Sequence, residues 1–484
     1  MHKTLKFQIF YLFLLKSCLF LLILYISGCA NQLPPGGGEE DKVPPKILSK
    51  FPKPNTINFR GNSINIEFDK YVDKRSFQDA IRISPPYKGD IEYKWSGKEV
   101  EIVFAKSFHS IDTNKTFVIN VSTSLKDLHG NALTEPITFA FATGGKIDTA
   151  SISGKVFNNG RKNITVFAYK LVSDTSYNPS QRTSDYITET SPTGEYILTN
   201  LSSGKYRIIA VDDDDKNLLY TVDRESYGVL PYDFVLYDSS NIKNINFYLR
   251  DIKKVQSPGN SPDMTDYFKD SLDIIYSSIE NGYKNVLTDQ SIFLFFNKFK
   301  PARETLINSL HVSDENNRNI KIIYNWLNDS LVEIFPPEKY NYNSKYILSF
   351  SLKIMGDSTY KYMLDYSTIS PNSYGELKGV IYRMGSDIVS ADTSVVPAVV
   401  KLTSVELKPQ VKYSFMIEDT LFDLKSILEA DYSVFSFLDE KRTGEYDYGS
   451  AFPFRYSEPF YIYPQNVSIK GGWAVENLIL NFTR

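Results

Sequence analysis

The chain has 484 residues, with 54 Lys and Arg against 57 Asp and Glu, a formal net charge of −3. That balance is not basic enough for a nucleic-acid partner. The length calls for several domains rather than one small core. Tyr and Phe number 34 and 32; with short alternating runs this reads as all-β, because aromatic residues suit a half-buried sheet face.

The first element is a targeting segment. Lys3 and Lys6 give a positive start, and Phe7 to Ile26 is mostly Leu, Ile, Phe and Tyr. That is the shape of a secretory signal. The alternative is an uncleaved anchor, since the run nearly spans a bilayer, but Lys16 interrupts it. Ser27 and Gly28 are small residues suited to cleavage before Cys29. "ISGC" resembles the bacterial lipobox, in which the cysteine becomes the lipidated first residue. Residues 1–28 are therefore expected to be a lipoprotein signal peptide, with Cys29 as the lipid attachment site. Loss of Lys3, Lys6 and Lys16 with no acid moves the net charge from −3 to −6. The chain has two Cys. Cys18 leaves with the signal, so the mature chain forms no internal disulfide and no CxxC metal site. Several acyl chains on Cys29 anchor firmly where one binds only marginally.

Residues 29–43 form a flexible tether. Pro34, Pro35, Gly36, Gly37 and Gly38 leave too little apolar content to fold. Extended from Asn31 to Pro45, the segment reaches roughly 40–50 Å. Glu39, Glu40 and Asp41 resemble the acidic export signals of surface lipoproteins in Bacteroidetes.

Residues 44–145 carry period-two runs. Ile64, Ile66 and Phe68 share a face, as do Phe117, Ile119 and Val121, and Ile137, Phe139 and Phe141. Short alternating strands between turn signals are the mark of a β-sandwich. "PPKILSKFPKPNT", "INIEFDKYVDKRSFQDAIRIS" and "LKDLHGNAL" followed by "FAFATG" together resemble the bacterial Ig-like domain of surface-layer proteins. In that family a D-x-x-G-N turn precedes the last strand, and Asp127, Gly130 and Asn131 fit it.

Residues 148–250 contain "ASISGKVF" and "GEYILTNLSSGKYRIIAVDDDDKN". Gly194, Tyr196, Asn200, Leu201, Gly204, Tyr206, Ala210 and Asp213 fit the signature of the carboxypeptidase regulatory-like domain. That resemblance implies a small transthyretin-like sandwich that is a non-catalytic appendage.

Residues 251–285, with Pro258, Gly259, Ser261 and Pro262, are expected to be a linker. "MTDYFKDSLDIIYSSI" within it has some helical character and is left unassigned. Then the pattern restarts. "SINIEF…" at 63 has a partner at 291, "YKWSGKEVEIVF" at 93 one at 324, "ISGKVF" at 152 one at 377, and "YRIIAVDDDDK" at 206 one at 432. The offsets are 228, 231, 225 and 226 residues. Four segments so nearly in step imply duplication of a pair. The expected fold is all-β: tandem β-sandwiches, Ig-like and transthyretin-like, in two duplicated pairs. The second, diverged copies are placed at 286–370 and 376–484.

Chemistry is sparse. Of four His, His2 lies in the signal; His109, His129 and His311 stand without HExxH spacing. No GxSxG or P-loop is present, and no free thiol remains once Cys29 is acylated. Asp213, Asp215 and Asn217 have the i, i+2, i+4 spacing of a calcium loop. Leu218 replaces its glycine, however, and Arg224 stands where its bidentate Glu belongs. The competing reading is a solvated turn in which Asp213 bonds local backbone N–H groups. No other cofactor is expected. Residues 446–465, "YDYGSAFPFRYSEPFYIYPQ", are dense in Tyr and Phe, which serve either core or edge packing or partner contact.

The resemblances imply a non-enzymatic outer-membrane lipoprotein of the Bacteroidetes type, anchored by lipid at the cell surface or the periplasmic face. Its partner is expected to be an outer-membrane protein complex, one candidate being the β-barrel assembly machine. The alternatives are a glycan-binding lipoprotein of a nutrient-uptake system and a cryptic hydrolase, the latter marked by a buried, convergent carboxylate pair.

Overall fold

The alternating runs become strands in the computed structural model, which describes residues 14–17, 41–157, 164–172, 177–252, 275–297, 300–353, 359–383, 396–407 and 410–482. Cys29 and all of the expected signal peptide except residues 14–17 lie outside the described residues. Among the described residues no helix is long and apolar enough to cross a membrane.

In the first sandwich β1 (Ile47–Phe51), β2 (Ser63–Phe68), β5 (Glu99–Phe104) and β4 (Ile91–Ser96) form one sheet in the order β1-β2-β5-β4. β3 (Ile81–Ser84), β6 (Thr116–Val121) and β7 (Ile137–Ala142) form the other, β3-β6-β7. Helix α1 (Lys74–Ala80) crosses between the sheets; Asp73 caps it by accepting from the Ser76 N–H, which satisfies one of the open donors of the first turn. A second short helix, α2 (Phe108–Ile111), is capped by Ser107 and buries Phe108. The alternation expected for Ile64, Ile66 and Phe68 holds: all three are buried in the core between the sheets.

In the second sandwich β11 (Glu195–Leu201) pairs with β8 (Ala150–Phe157), and β15 (Asn241–Ile242) and β16 (Phe247–Tyr248) run parallel to β8 on its other side. The facing sheet is β10 (Tyr186–Glu189), β9 (Thr165–Leu171) and β12 (Gly204–Val211), extended by β13 (Tyr227–Val229) and β14 (Phe234–Leu236). Val118 and Ala140 of the first sandwich belong to this second core. Glu189 also accepts from the Thr123 N–H and hydroxyl, so the first two sandwiches share packed surface.

The third sandwich repeats the first. β17 (Ile275–Ser277), β19 (Ile292–Phe296), β23 (Leu331–Phe335) and β22 (Ile323–Asn328) stand in the order β17-β19-β23-β22. The other sheet is β18 (Tyr283–Val286), β25 (Thr359–Thr368), β24 (Lys345–Lys353), β20 (His311–Asp314) and β21 (Asn319–Ile320). Helix α3 (Arg303–Ser309) takes the place of α1. The fourth repeats the second. β29 (Leu421–Leu428), β26 (Tyr374–Tyr382) and β33 (Ala474–Asn481) form one sheet, with β33 parallel to β26. β28 (Lys412–Ile417), β27 (Ala398–Ser404) and β30 (Ala430–Leu438), with β31 (Phe460–Ile462) and β32 (Val467–Ile469), form the other.

The duplication reaches single residues. A Cβ on Gly154 would lie 1.8 Å from the Ile245 carbonyl oxygen, and one on Gly379 2.2 Å from that of Leu478. Only glycine admits the neighbouring backbone at either point. The fully buried Tyr206 and Tyr432 each donate to the carbonyl four residues upstream, Ser202 and Leu428. Lys74 lies over Trp95 at 5.6 Å and Arg303 over Trp326 at 5.0 Å.

The expected linker, 251–285, needs correction at its end. Residues 253–274 lie outside the described residues, but Ile275–Ser277 is a strand beside β19, as β1 is beside β2. Ile275 and Ile279 are buried in the third core. Ile275 lies in a strand that completes the sheet, and Ile279 in the bend after it packs into the same core.

Candidate functional site

The acidic turn follows β12. Asp213 accepts from the backbone N–H groups of Asn217 and Leu218 at 3.1 Å each, which closes the loop on itself. Asp215 accepts from the Asn217 N–H and side-chain amide. The Asn217 side-chain oxygen is turned away, accepting from the Leu219 N–H at 2.7 Å. Of the three residues with calcium spacing, two carboxylates converge and the amide oxygen does not join them. The third acid is Glu225: one oxygen of each of Asp213, Asp215 and Glu225 lies within 4.8 Å of the others. Burial pushes Asp213 up to about 6. It pushes Glu225 up to about 7, with the Asp213 charge adding to the effect. Such acids hold protons near neutrality or share a cation.

The fourth sandwich carries the same device. Asp439, with no exposed surface, accepts from the Thr443 and Gly444 N–H groups. Glu458 is buried two residues before β31, as Glu225 is two before β13. It accepts from the Glu440 and Asp447 N–H groups, and burial raises its pKa. An Asp–Glu pair thus fastens the same loop in both copies by binding backbone N–H groups; both acids are buried in the second copy, whereas in the first Glu225 is buried and Asp213 only half-buried. The first pair converges as a hydrolase pair would. Yet Asp213 spends both oxygens, and Glu225 one, on backbone N–H groups. The sequence offers Glu225 as a further oxygen donor to the acidic turn, and it does converge there; the Asp439–Glu458 pair was not visible, because 19 residues separate the two.

A second acidic group, Asp41, Asp127 and His129, is filled by Lys70. Its ammonium donates to Asp41 at 2.6 Å, Asp127 at 3.4 Å and the Val43 carbonyl at 2.7 Å. Burial opposes ionisation of Asp127, but bonds from Asn131, His129 and Lys70 outweigh it and hold the group at about 2.

The aromatic stretch 446–463 packs against the second sandwich. Tyr177 donates to the Ala451 carbonyl at 3.0 Å, Tyr227 to that of Gly449 at 3.1 Å, and Ser457 to that of Val229 at 2.9 Å. At its centre Arg207 pairs with Asp233 through two 3.0 Å bonds and lies 3.7 Å from the centre of the Phe454 ring. Tyr456 donates to the same Asp233 at 2.9 Å. Next to it Tyr248 stacks on Phe435 and Tyr448. The aromatic excess is therefore a clasp between the second and fourth sandwiches. Below it a groove of ≈ 910 Å³ runs between them, lined by Tyr232, Tyr461 and Tyr463 with Lys155, Glu195 and Lys243.

Residues 41–143 match the family model of the bacterial Ig-like domain. No curated protein matches the chain. Among solved structures, the N-terminal part of the bacterial S-layer protein SbsC is similar at 18% identity, over 35% of this chain and 40% of that chain, with a TM-score of 0.16. SbsC domains 1–6 are similar at 11% identity, over 81% of this chain and 65% of that chain, with a TM-score of 0.17. An L,D-transpeptidase from Mycobacterium smegmatis is similar at 11% identity, over 31% of this chain and 78% of that chain, with a TM-score of 0.16. At these scores the structural likenesses carry no argument about activity.

Proposed function

We propose that the chain is a non-enzymatic, lipid-anchored envelope protein of the Bacteroidetes type that acts as a protein-binding scaffold at the outer membrane. The observation that carries this reading is "ISGC" at residues 26–29, set a short tether ahead of the Ig-like match at 41–143. Lipid on Cys29 holds the chain at the membrane, and the clasped sandwiches present a firm surface above it. Accessory service to an outer-membrane complex such as the β-barrel assembly machine fits this arrangement. Fold alone does not choose the partner. The test is fractionation of Cys29→Ala, which should release the protein into the soluble envelope fraction. A variant that stays in the membrane pellet with its signal removed would overturn the anchor. Affinity purification of the tagged chain from solubilised outer membrane, followed by mass spectrometry, should then return an integral outer-membrane protein in stoichiometric amount.

The groove between the second and fourth sandwiches favours a second reading, glycan binding. Its tyrosines, amide side chains and charged groups have the makeup of a sugar site. Tyr461→Ala with Tyr463→Ala would abolish polysaccharide retention on that reading and leave the scaffold reading untouched.

A further inference from the structure

Strands β4 and β22 occupy the same place in the two copies, each at the open edge of its sheet. An open edge exposes unpaired N–H and C=O groups, and soluble proteins blunt it with charge. β4 obeys: its exposed positions carry Glu92, Lys94 and Ser96. The matching positions of β22 carry Ile323, Asn325 and Leu327. Ile323 is 41% exposed, Tyr324 41% and Leu327 37%. One copy of a duplicated edge has thus lost both its charges and gained two apolar side chains, Ile323 and Leu327, facing solvent.

We infer that β22 pairs antiparallel with β22 of a second copy of this chain, about a two-fold axis at Asn325. A two-fold contact must be self-complementary, and the residues from Lys321 to Asp329 are so. With Asn325 opposite itself, Ile323 meets Leu327, Tyr324 meets Trp326, and Lys321 meets Asp329, each pair occurring twice. Residues 322–328 carry no charge to oppose the pairing. Lys321 makes no ion pair among the described residues. Asp329 already faces Lys300 at 2.8 Å and Arg303 at 3.0 Å of its own chain. Lys321 and Asp329 flank β22 rather than lie within it, so their contact adds little energy, and Ile323 and Leu327 supply the attraction. The register with β23 shifts between Trp326 and Asn328, so the paired stretch is short. Its area falls below the ~1,600 Å² of a standard stable interface. The dimer is correspondingly weak in solution, and holding copies on one surface would strengthen it.

The test is oxidative cross-linking of the full chain with Cys18→Ser and Cys29→Ser. Asn325→Cys should give a covalent dimer, because opposed residues of an antiparallel pair lie ~4.5–5.5 Å apart at Cα, within disulfide reach. Ile323→Cys should give at least fivefold less, since two such residues would be ~13 Å apart. Adding Ile323→Glu and Leu327→Ser, the residues that β4 carries, to Asn325→Cys should abolish the dimer. Sedimentation of the chain with no substitution beyond those two serines should show association at several hundred micromolar, independently of how the edge variants fold. Equal cross-linking at both cysteine positions would overturn the inference. So would a dimer that survives the edge substitutions, or a chain that stays monomeric throughout while binding some other strand.

Discussion

Asp213 and Asp439 stand at the same point of the second and fourth sandwiches and bind the same two backbone N–H groups, those four and five residues on. Beyond these two acids the copies part. After Asp213 the chain reaches β13 through a short acidic loop; after Asp439 it runs through the aromatic loop that grips the second sandwich. The framework is repeated, and the contacts lie where the copies diverge. The same holds for β4 and β22, alike in pairing and unlike in outer face.

Gly154→Ala and Gly379→Ala should have the largest effects. Each drives a methyl group into backbone, at a cost of about 3 kcal/mol or more, and each should destabilise its own sandwich by a similar amount in native-state hydrogen exchange. A mild effect in one copy alone would show that the close approach is not shared.

Asp439→Ala should be next, at about 2–3 kcal/mol, because it strands two buried backbone donors. Asp213→Ala should cost less, since its turn is more open to water and repels its neighbouring acids. Reversal of that order in hydrogen exchange of the Gly444 and Leu218 amides would break the comparison.

Tyr227→Phe removes the bond to the Gly449 carbonyl and should cost about 1 kcal/mol. It should be felt in the 449–457 loop more than in the fourth core. Loss of protection in the core instead would mean that the clasp and the core open together.

The Asp213–Glu225 pair and Asp447 should also answer pH in opposite senses. In the unfolded chain Asp213 and Glu225 ionise near 3.8 and 4.5, but when folded they hold protons to about 6 and 7. Their contribution to stability is full below pH ~4 and is lost as pH rises through 6–7. Asp447 is the reverse. Burial pushes it up, but Lys441, Arg455 and the Gly449 N–H outweigh that and hold it at about 2. Its contribution is present above pH ~4 and is lost as pH falls toward 2. Loop-resolved hydrogen exchange between pH 3 and 8 should show both trends. Millimolar calcium at pH 7 should change neither. A gain in protection that Asp213→Ala removes would make the acidic turn a metal site.

The sequence was legible where a rule is local. Ile64, Ile66 and Phe68 alternate as a half-buried strand must, and "ISGKVF" and "LKGVIY" mark the same strand in both copies. It was illegible where partners are distant. Nothing near Tyr177 names Ala451, and nothing near Arg207 names Phe454, so the aromatic loop read as edge packing or foreign contact. "DIIYSSI" was hidden for another reason: its apolar spacing suits a helix as well as the strand Ile275–Ser277 that it contains. Asn217 misled because spacing places an amide near the acids without saying that its oxygen turns to Leu219.

The central claim is that the second and fourth sandwiches are held as one body by the clasp around Arg207. The most direct measurement is a double-substitution cycle, Arg207→Ala with Phe454→Ala. It is read from hydrogen exchange of the Ser450 and Arg455 amides, which bond to each other's carbonyls at 3.0 and 2.9 Å. Each single substitution should lower the opening free energy of the loop, and the pair should lower it by about 1 kcal/mol less than their sum, as expected of a desolvated cation–aromatic contact. Strict additivity, or amides already unprotected in the unaltered chain, would contradict the clasp.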